Sequence, residues 1–144
     1  MRTMDIGSKI NAKSPDGIDD NGKPFRLLLV DDSAFVIKQL QQIFISEEYE
    51  IIGTAEDGEG AVVMYKELKP DLVTLDITMP KMDGITALAK IVEYDKNARV
   101  VMISALGKED LVKKALLTGA KNYITKPLDR KKVLERVKAV LSKG

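Results

Sequence analysis

A chain of 144 residues, 44% hydrophobic and 31% charged, is long enough for one soluble α/β domain with its own core and too apolar to be a disordered chain. It holds no cysteine and no histidine, which excludes disulfide frameworks, thiolate zinc sites, cysteine nucleophiles and Ser-His hydrolases, and leaves oxygen to bind any metal, hence Mg2+, Mn2+ or Ca2+. The net charge is only +1, no apolar run approaches the ~20 residues of a membrane span, and Met1-Arg2-Thr3-Met4-Asp5 lacks the apolar core of a signal peptide, so the cytoplasm is the expected compartment.

Residues 1–24 show no hydrophobic period and are rich in Asp, Lys, Gly, Ser and Asn, with Pro15 and Pro24; they are expected to form a flexible polar tail ahead of a domain over 25–144. A calcium-loop reading of Asp16-Gly17-Ile18-Asp19-Asp20-Asn21-Gly22 fails, because aligning Gly22 on the loop glycine leaves Gly17 and Leu28 in ligand positions. A regular alternation follows. Strand one is Arg26–Val30, and helix one runs from about Ser33 to Ser46 with Val36, Leu40, Ile43 and Phe44 inward. Ile37 reads as a scattered surface residue. Strand two is Tyr49–Thr54, and helix two, about Glu59–Leu68, stops at Pro70. Strand three is Leu72–Leu75, and helix three, Ile85–Glu93, is expected to bury Ile85, Leu88, Ala89 and Val92. Strand four is Arg99–Ile103; helix four, Lys108–Thr118, turns in Leu111, Val112, Ala115 and Leu116 and ends at Gly119. Strand five is Asn122–Thr125, and helix five is Asp129–Leu141 with Asp129 as its cap.

Five apolar strands alternating with amphipathic helices predict an α/β fold, a doubly wound five-stranded parallel sheet with helices on both faces. In the flavodoxin-like order 2-1-3-4-5, strands one and three are neighbours and their carboxyl ends share a crevice. Strand one ends in Asp31-Asp32, strand three in Asp76, strand four in Ser104-Ala105 and strand five in Lys126-Pro127. Taken singly, these are ordinary caps, turn residues and surface charges. At successive strand ends they form a constellation of three carboxylates, a hydroxyl and an ammonium. Close carboxylates need a cation or a raised proton affinity at neutral pH. Mg2+ suits them, since it takes a few carboxylates plus water and phosphate oxygens. Lys126 is then a mobile point charge for Asp76 and afterwards for a phosphoryl oxygen, with Ser104 as a second donor.

Val30-Asp31-Asp32-Ser33, Leu75-Asp76-Ile77-Thr78-Met79-Pro80-Lys81-Met82-Asp83-Gly84, Ile103-Ser104-Ala105 and Tyr123-Ile124-Thr125-Lys126-Pro127 together resemble a response-regulator receiver domain over Arg26 to Leu141. The resemblance implies that Asp76 accepts a phosphoryl group from a histidine kinase. It further implies that Asp32, Asp76 and the Thr78 backbone carbonyl hold Mg2+ directly and Asp31 through water (Mn2+ being the alternative ion), that Ser104 and Lys126 grip the phosphoryl group, and that the Lys126–Pro127 peptide is cis. Ser104 and Tyr123 would be the switch pair, Tyr123 swinging inward behind Ser104, and Thr78 and Leu106 would flank the path of attacking water. Such a protein signals rather than turning over a substrate, catalysing only its own phosphorylation and dephosphorylation.

Within that family, Asp32-Ser33-Ala34-Phe35 and Gly119-Ala120-Lys121-Asn122-Tyr123 are most similar to the stand-alone chemotaxis regulators. No output domain is expected after helix five. The implied partners are a histidine kinase, a phosphatase, and the flagellar motor switch, docking through helix four, strand five and helix five; the protein is expected to be a monomer that binds neither nucleic acid nor membrane. From Lys108 onward eleven bases face four acids, a surplus suited to an acidic partner. Two other readings share parts of the pattern. A single-domain phosphorelay carrier has the same site. A flavodoxin-like flavin or nucleotide protein has the same fold, but Gly58-Glu59-Gly60-Ala61-Val62-Val63 follows the wrong strand and has valine where the third fingerprint glycine belongs.

Overall fold

The computed structural model describes residues 14–143, and among them strands and helices alternate throughout. The elements are β1 (Arg26–Val30), α1 (Ala34–Ile45), β2 (Glu50–Ala55), α2 (Gly58–Leu68), β3 (Leu72–Leu75), α3 (Gly84–Tyr94), β4 (Val100–Ser104), α4 (Glu109–Thr118), β5 (Asn122–Thr125) and α5 (Arg130–Ser142). All strand pairs are parallel, in the order β2-β1-β3-β4-β5. The expected topology is the observed one, and β1, β3 and β5 have the expected bounds.

The two-residue period of a strand divides the core between the two sheet faces. Leu28, Val30, Val73, Leu75, Val100 and Met102 face α2, α3 and α4, where Ala61, Tyr65, Leu88, Ile91 and Ala115 meet them. Leu27, Leu29, Leu72, Val101, Ile103 and Ile124 face α1 and α5, against Leu40, Phe44, Val133 and Val137. Each large side chain buried this way contributes about 1.5–3 kcal/mol.

Local chemistry starts the helices where side-chain oxygens can satisfy free backbone N–H groups. Ser33 accepts from the Val36 N–H at 3.2 Å, Asp57 from Gly60 at 2.7 Å, Asp83 from Thr86 at 2.9 Å and Asp129 from Lys131 at 3.1 Å. Lys69 ends α2 in the left-handed region at φ 49°. The Arg26 guanidinium donates to the Leu68 and Lys69 carbonyls at 2.8 and 2.9 Å, which suits a cation at a helix C-terminus.

Several expectations are corrected. The α3 stripe is Gly84, Ala87, Leu88 and Ile91, and Ala89 is exposed. In α4 only Ala115 is fully buried; Leu116 is 44% exposed and Leu117 82%. Ile37 is half-buried and packs against the α1/α5 side of the core. Residues 14–24, assigned above to a flexible tail, lie folded against the domain, while residues 1–13 of that assignment lie outside the described residues. The Gly17 N–H donates to the Glu47 carbonyl at 2.7 Å, Phe25 N–H to Gly17 at 2.7 Å, and Ile18 bridges Pro24. A Cβ on Gly17 would come within 2.3 Å of the Tyr49 nitrogen, so only glycine fits that approach. Asp16 pairs with Lys138 of α5 at 3.6 Å. Among the described residues no helix is long and apolar enough to cross a membrane.

Candidate functional site

Parallel pairing carries the strand ends to one edge, and the ladder continues one step past them. The Asp31 N–H donates to Ala55 at 3.0 Å, Asp76 to Val30 at 3.1 Å and Lys126 to Ser104 at 2.9 Å. Each side chain that follows a strand is therefore fixed by backbone bonds before its own contacts begin. Asp31 is 2% exposed, Asp76 5% and Ser104 1%, whereas Asp32 is exposed. Asp31, Asp32 and Asp76 offer oxygens that all lie within 4.8 Å of one another.

Lys126 Nζ lies 2.8 Å from Asp31 Oδ2 and 3.4 Å from Asp76 Oδ2. The ammonium thus bridges both buried acids and sits nearer Asp31, where the sequence suggested Asp76 as its first partner. Asp31 Oδ1 also accepts from the Ser33 N–H at 2.9 Å, and Asp76 Oδ1 from Ile77 at 2.7 Å. Burial first, and then the charge of Asp31, raises the Asp76 carboxyl above the usual carboxylate range, against the pull of Lys126 and the Ile77 N–H. Desolvation works against the Lys126 ammonium, but Asp31 and Asp76 outweigh it and hold its affinity for the proton above the ordinary lysine value. This excess of buried negative charge, with hard oxygen donors and one exposed carboxylate at the rim, fits Mg2+.

The loop after β3 is shaped by close backbone packing. A Cβ on Gly84 would stand 1.9 Å from the Asp76 carbonyl oxygen, and the Gly84 N–H donates to Ile77 at 2.7 Å. Glycine is required there so that α3 can start against the backbone of the central acid. Thr78 is exposed, two residues beyond Asp76. Across the sheet edge, Ser104 Oγ accepts from the Leu106 N–H at 3.1 Å, and the Tyr123 hydroxyl donates to the Leu106 carbonyl. The Tyr123 ring is buried, which raises its hydroxyl above the usual tyrosine range, and Leu106 is 43% exposed. The Lys126–Pro127 peptide is cis.

One contributor escaped the sequence reading. Gly58 donates its N–H to the Met82 carbonyl at 3.0 Å, and a Cβ there would sit 2.3 Å from that oxygen. Beside it, Lys81 Nζ lies 3.8 Å from Asp57 Oδ2. The start of α2 thus latches the loop that carries Thr78. The local signal is Asp57-Gly58, an N-cap acid followed by the one residue without a Cβ.

The family model of the response regulator receiver domain matches residues 27–138. The chain is 67% identical over 134 residues to the chemotaxis protein CheY of Treponema pallidum, covering 92% of this chain and 93% of that one. It is 46% identical over 117 residues to CheY of Bacillus subtilis, covering 81% and 98%. Among solved structures, a CheX–CheY–BeF3–Mg2+ complex from Borrelia burgdorferi superposes with a TM-score of 0.87 at 63% identity, covering 89% of this chain and 98% of that one. Fold, strand-end chemistry and kinship agree, and the chain belongs to the response regulator receiver family, among the CheY-like members of two-component chemotaxis signalling.

Proposed function

We propose that Asp76 is the phospho-acceptor of this chemotaxis receiver, with residues 25–144 as the receiver domain, and that the phosphorylated form docks on the flagellar motor switch. The observation that carries the reading is the crowding of Asp31, Asp32 and Asp76 within 4.8 Å beside the Lys126 ammonium. A carboxylate oxygen of Asp76 attacks the phosphorus of a kinase phosphohistidine. The P–O bond forms as the P–N bond breaks, and the imidazole leaves with the electron pair. Asp32, Asp76 and the Thr78 carbonyl would hold Mg2+, with Asp31 assisting through water, and Mn2+ would serve in its place. When bound, the metal neutralises the carboxylates and the phosphoryl oxygens. Lys126 moves from the acids to a phosphoryl oxygen, and Ser104 donates to another.

The modified Asp76 is a new dianion at the edge where Ser104, Leu106 and Tyr123 are already linked, so Ser104 and Tyr123 form the switch. The docking surface is α4, β5 and α5, where Leu116 and Leu117 are exposed among lysines. A histidine kinase in the cytoplasm supplies the phosphoryl group to a monomeric receiver. The CheX in the Borrelia complex supports a CheX-like protein as a further partner.

Acetyl phosphate with Mg2+ should add one phosphoryl mass to the wild-type chain and none to Asp76→Asn. Beryllofluoride should increase binding to a motor-switch peptide in the wild type alone. Label retained at full level in Asp76→Asn overturns the acceptor assignment. A labelled chain with no gain in peptide binding favours the relay carrier instead.

A further inference from the structure

At the sheet edge opposite Asp76, the residues entering β4 and β5 and the last turn of α5 line an open cleft of about 490 Å³. Its polar wall is Asn97, Arg99, Lys121, Asn122 and Lys143, and Ala139 and Val140 form an apolar floor. No acid lines it.

The three bases differ from Arg136, Lys138 and Arg130 in their contacts. Arg136 donates to the Tyr123 carbonyl at 2.6 Å, Lys138 pairs with Asp16, and Arg130 lies 3.6 Å from Glu47. Among the described residues, the side chains of Arg99, Lys121 and Lys143 form no ion pair and no hydrogen bond. Asp95, the acid nearest Arg99 in sequence, is occupied by the Tyr65 hydroxyl at 2.7 Å and the Asn97 N–H at 3.0 Å. Asn122 Oδ1 already accepts from its neighbour's N–H at 2.8 Å, which leaves its amide NH2 as a donor.

We infer that this cleft binds a small organic diphosphate, a nucleoside diphosphate being the class that fits. Three cations on one concave wall, with no acid among the lining residues, attract a multivalent anion, which two phosphate groups supply. Two carboxamides can hydrogen-bond a polar ring or sugar, and the floor of Ala139 and Val140 offers an apolar surface. The volume lies within the roughly 300–1,000 Å³ of small-molecule sites. The site uses none of the strand-end carboxylates, so it stands or falls apart from the acceptor reading.

The test is a magnesium-free NMR titration of the full chain with ADP and with pyrophosphate, using sodium sulfate at matched ionic strength as the control. Saturable shifts at Asn97, Arg99, Lys121 and Asn122 are expected with ADP, weakened about tenfold in a Lys121→Gln, Lys143→Gln variant whose thermal midpoint is unchanged. An equal response to pyrophosphate assigns the recognition to the phosphates; a stronger one to ADP adds the nucleoside. Shifts that do not saturate, that sulfate reproduces, that map to the Asp76 edge, or that survive in the variant overturn the proposal. So does binding of an acidic peptide where neither phosphate compound binds.

Discussion

Asp76 is stabilised against ionisation by burial and by Asp31, and this gives its chemistry a thermodynamic signature. A carboxyl whose native proton affinity is raised contributes stability that is complete below the unfolded carboxylate range, near 3.9, and lost as pH rises through the higher native value. At neutral pH the ionised group therefore weighs against the fold. Asp76→Asn should raise the thermal midpoint by a few degrees at pH 7, and the gain should shrink towards pH 3; a constant gain across that range would contradict the assignment. Lys126 is the counterweight. Lys126→Ala leaves two buried acids without their cation and should cost about 1–3 kcal/mol, part of it recovered by Mg2+ in a denaturant titration. The variant should accept phosphoryl groups poorly and show no gain in partner binding on modification.

At the scale of elements, the start of α2 and the loop after β3 act as one unit. Gly58→Ala drives a methyl group into the Met82 carbonyl. It should weaken Mg2+ binding severalfold in an NMR titration although no ligand is changed, whereas Gly60→Ala, with its nearest neighbour at 3.3 Å, should not. Helix α4 has the opposite character, with one fully buried residue and two exposed leucines. Its amides should exchange with solvent faster than those of α1, anchored by Leu40 and Phe44, and partner docking should slow them. The misjudged burial has a geometric cause. Each residue turns a helix by about 100°, and the close seat of Gly84 against Asp76 sets the phase of α3, so Ala87 and Ile91 go inward and Ala89 outward. Side-chain apolarity alone does not fix that angle.

Across the described residues the two sheet edges are chemically opposed, with the acid cluster at the carboxyl end and bases that form no ion pair at the amino end. The segment from Ser14 to Phe25 braces the second of these by joining the turn after α1 to α5 through Glu47 and Lys138. Deleting residues 1–24 should lower stability by about 1–3 kcal/mol in chemical denaturation, leaving phosphorylation at Asp76 intact; an unchanged midpoint would show the brace to be inert.

The alternation of apolar strands with amphipathic helices determined the parallel sheet covered on both faces, and single polar residues placed at Asp31, Asp76, Ser104 and Lys126 announced the site, because both are local signals along the chain. Contacts between distant segments decided the rest. Lys126 nearer Asp31 than Asp76, Gly58 under Met82, Gly17 against Tyr49 and the shared wall of Arg99, Lys121 and Lys143 depend on how far apart two backbones stop, a distance set by packing of the whole domain.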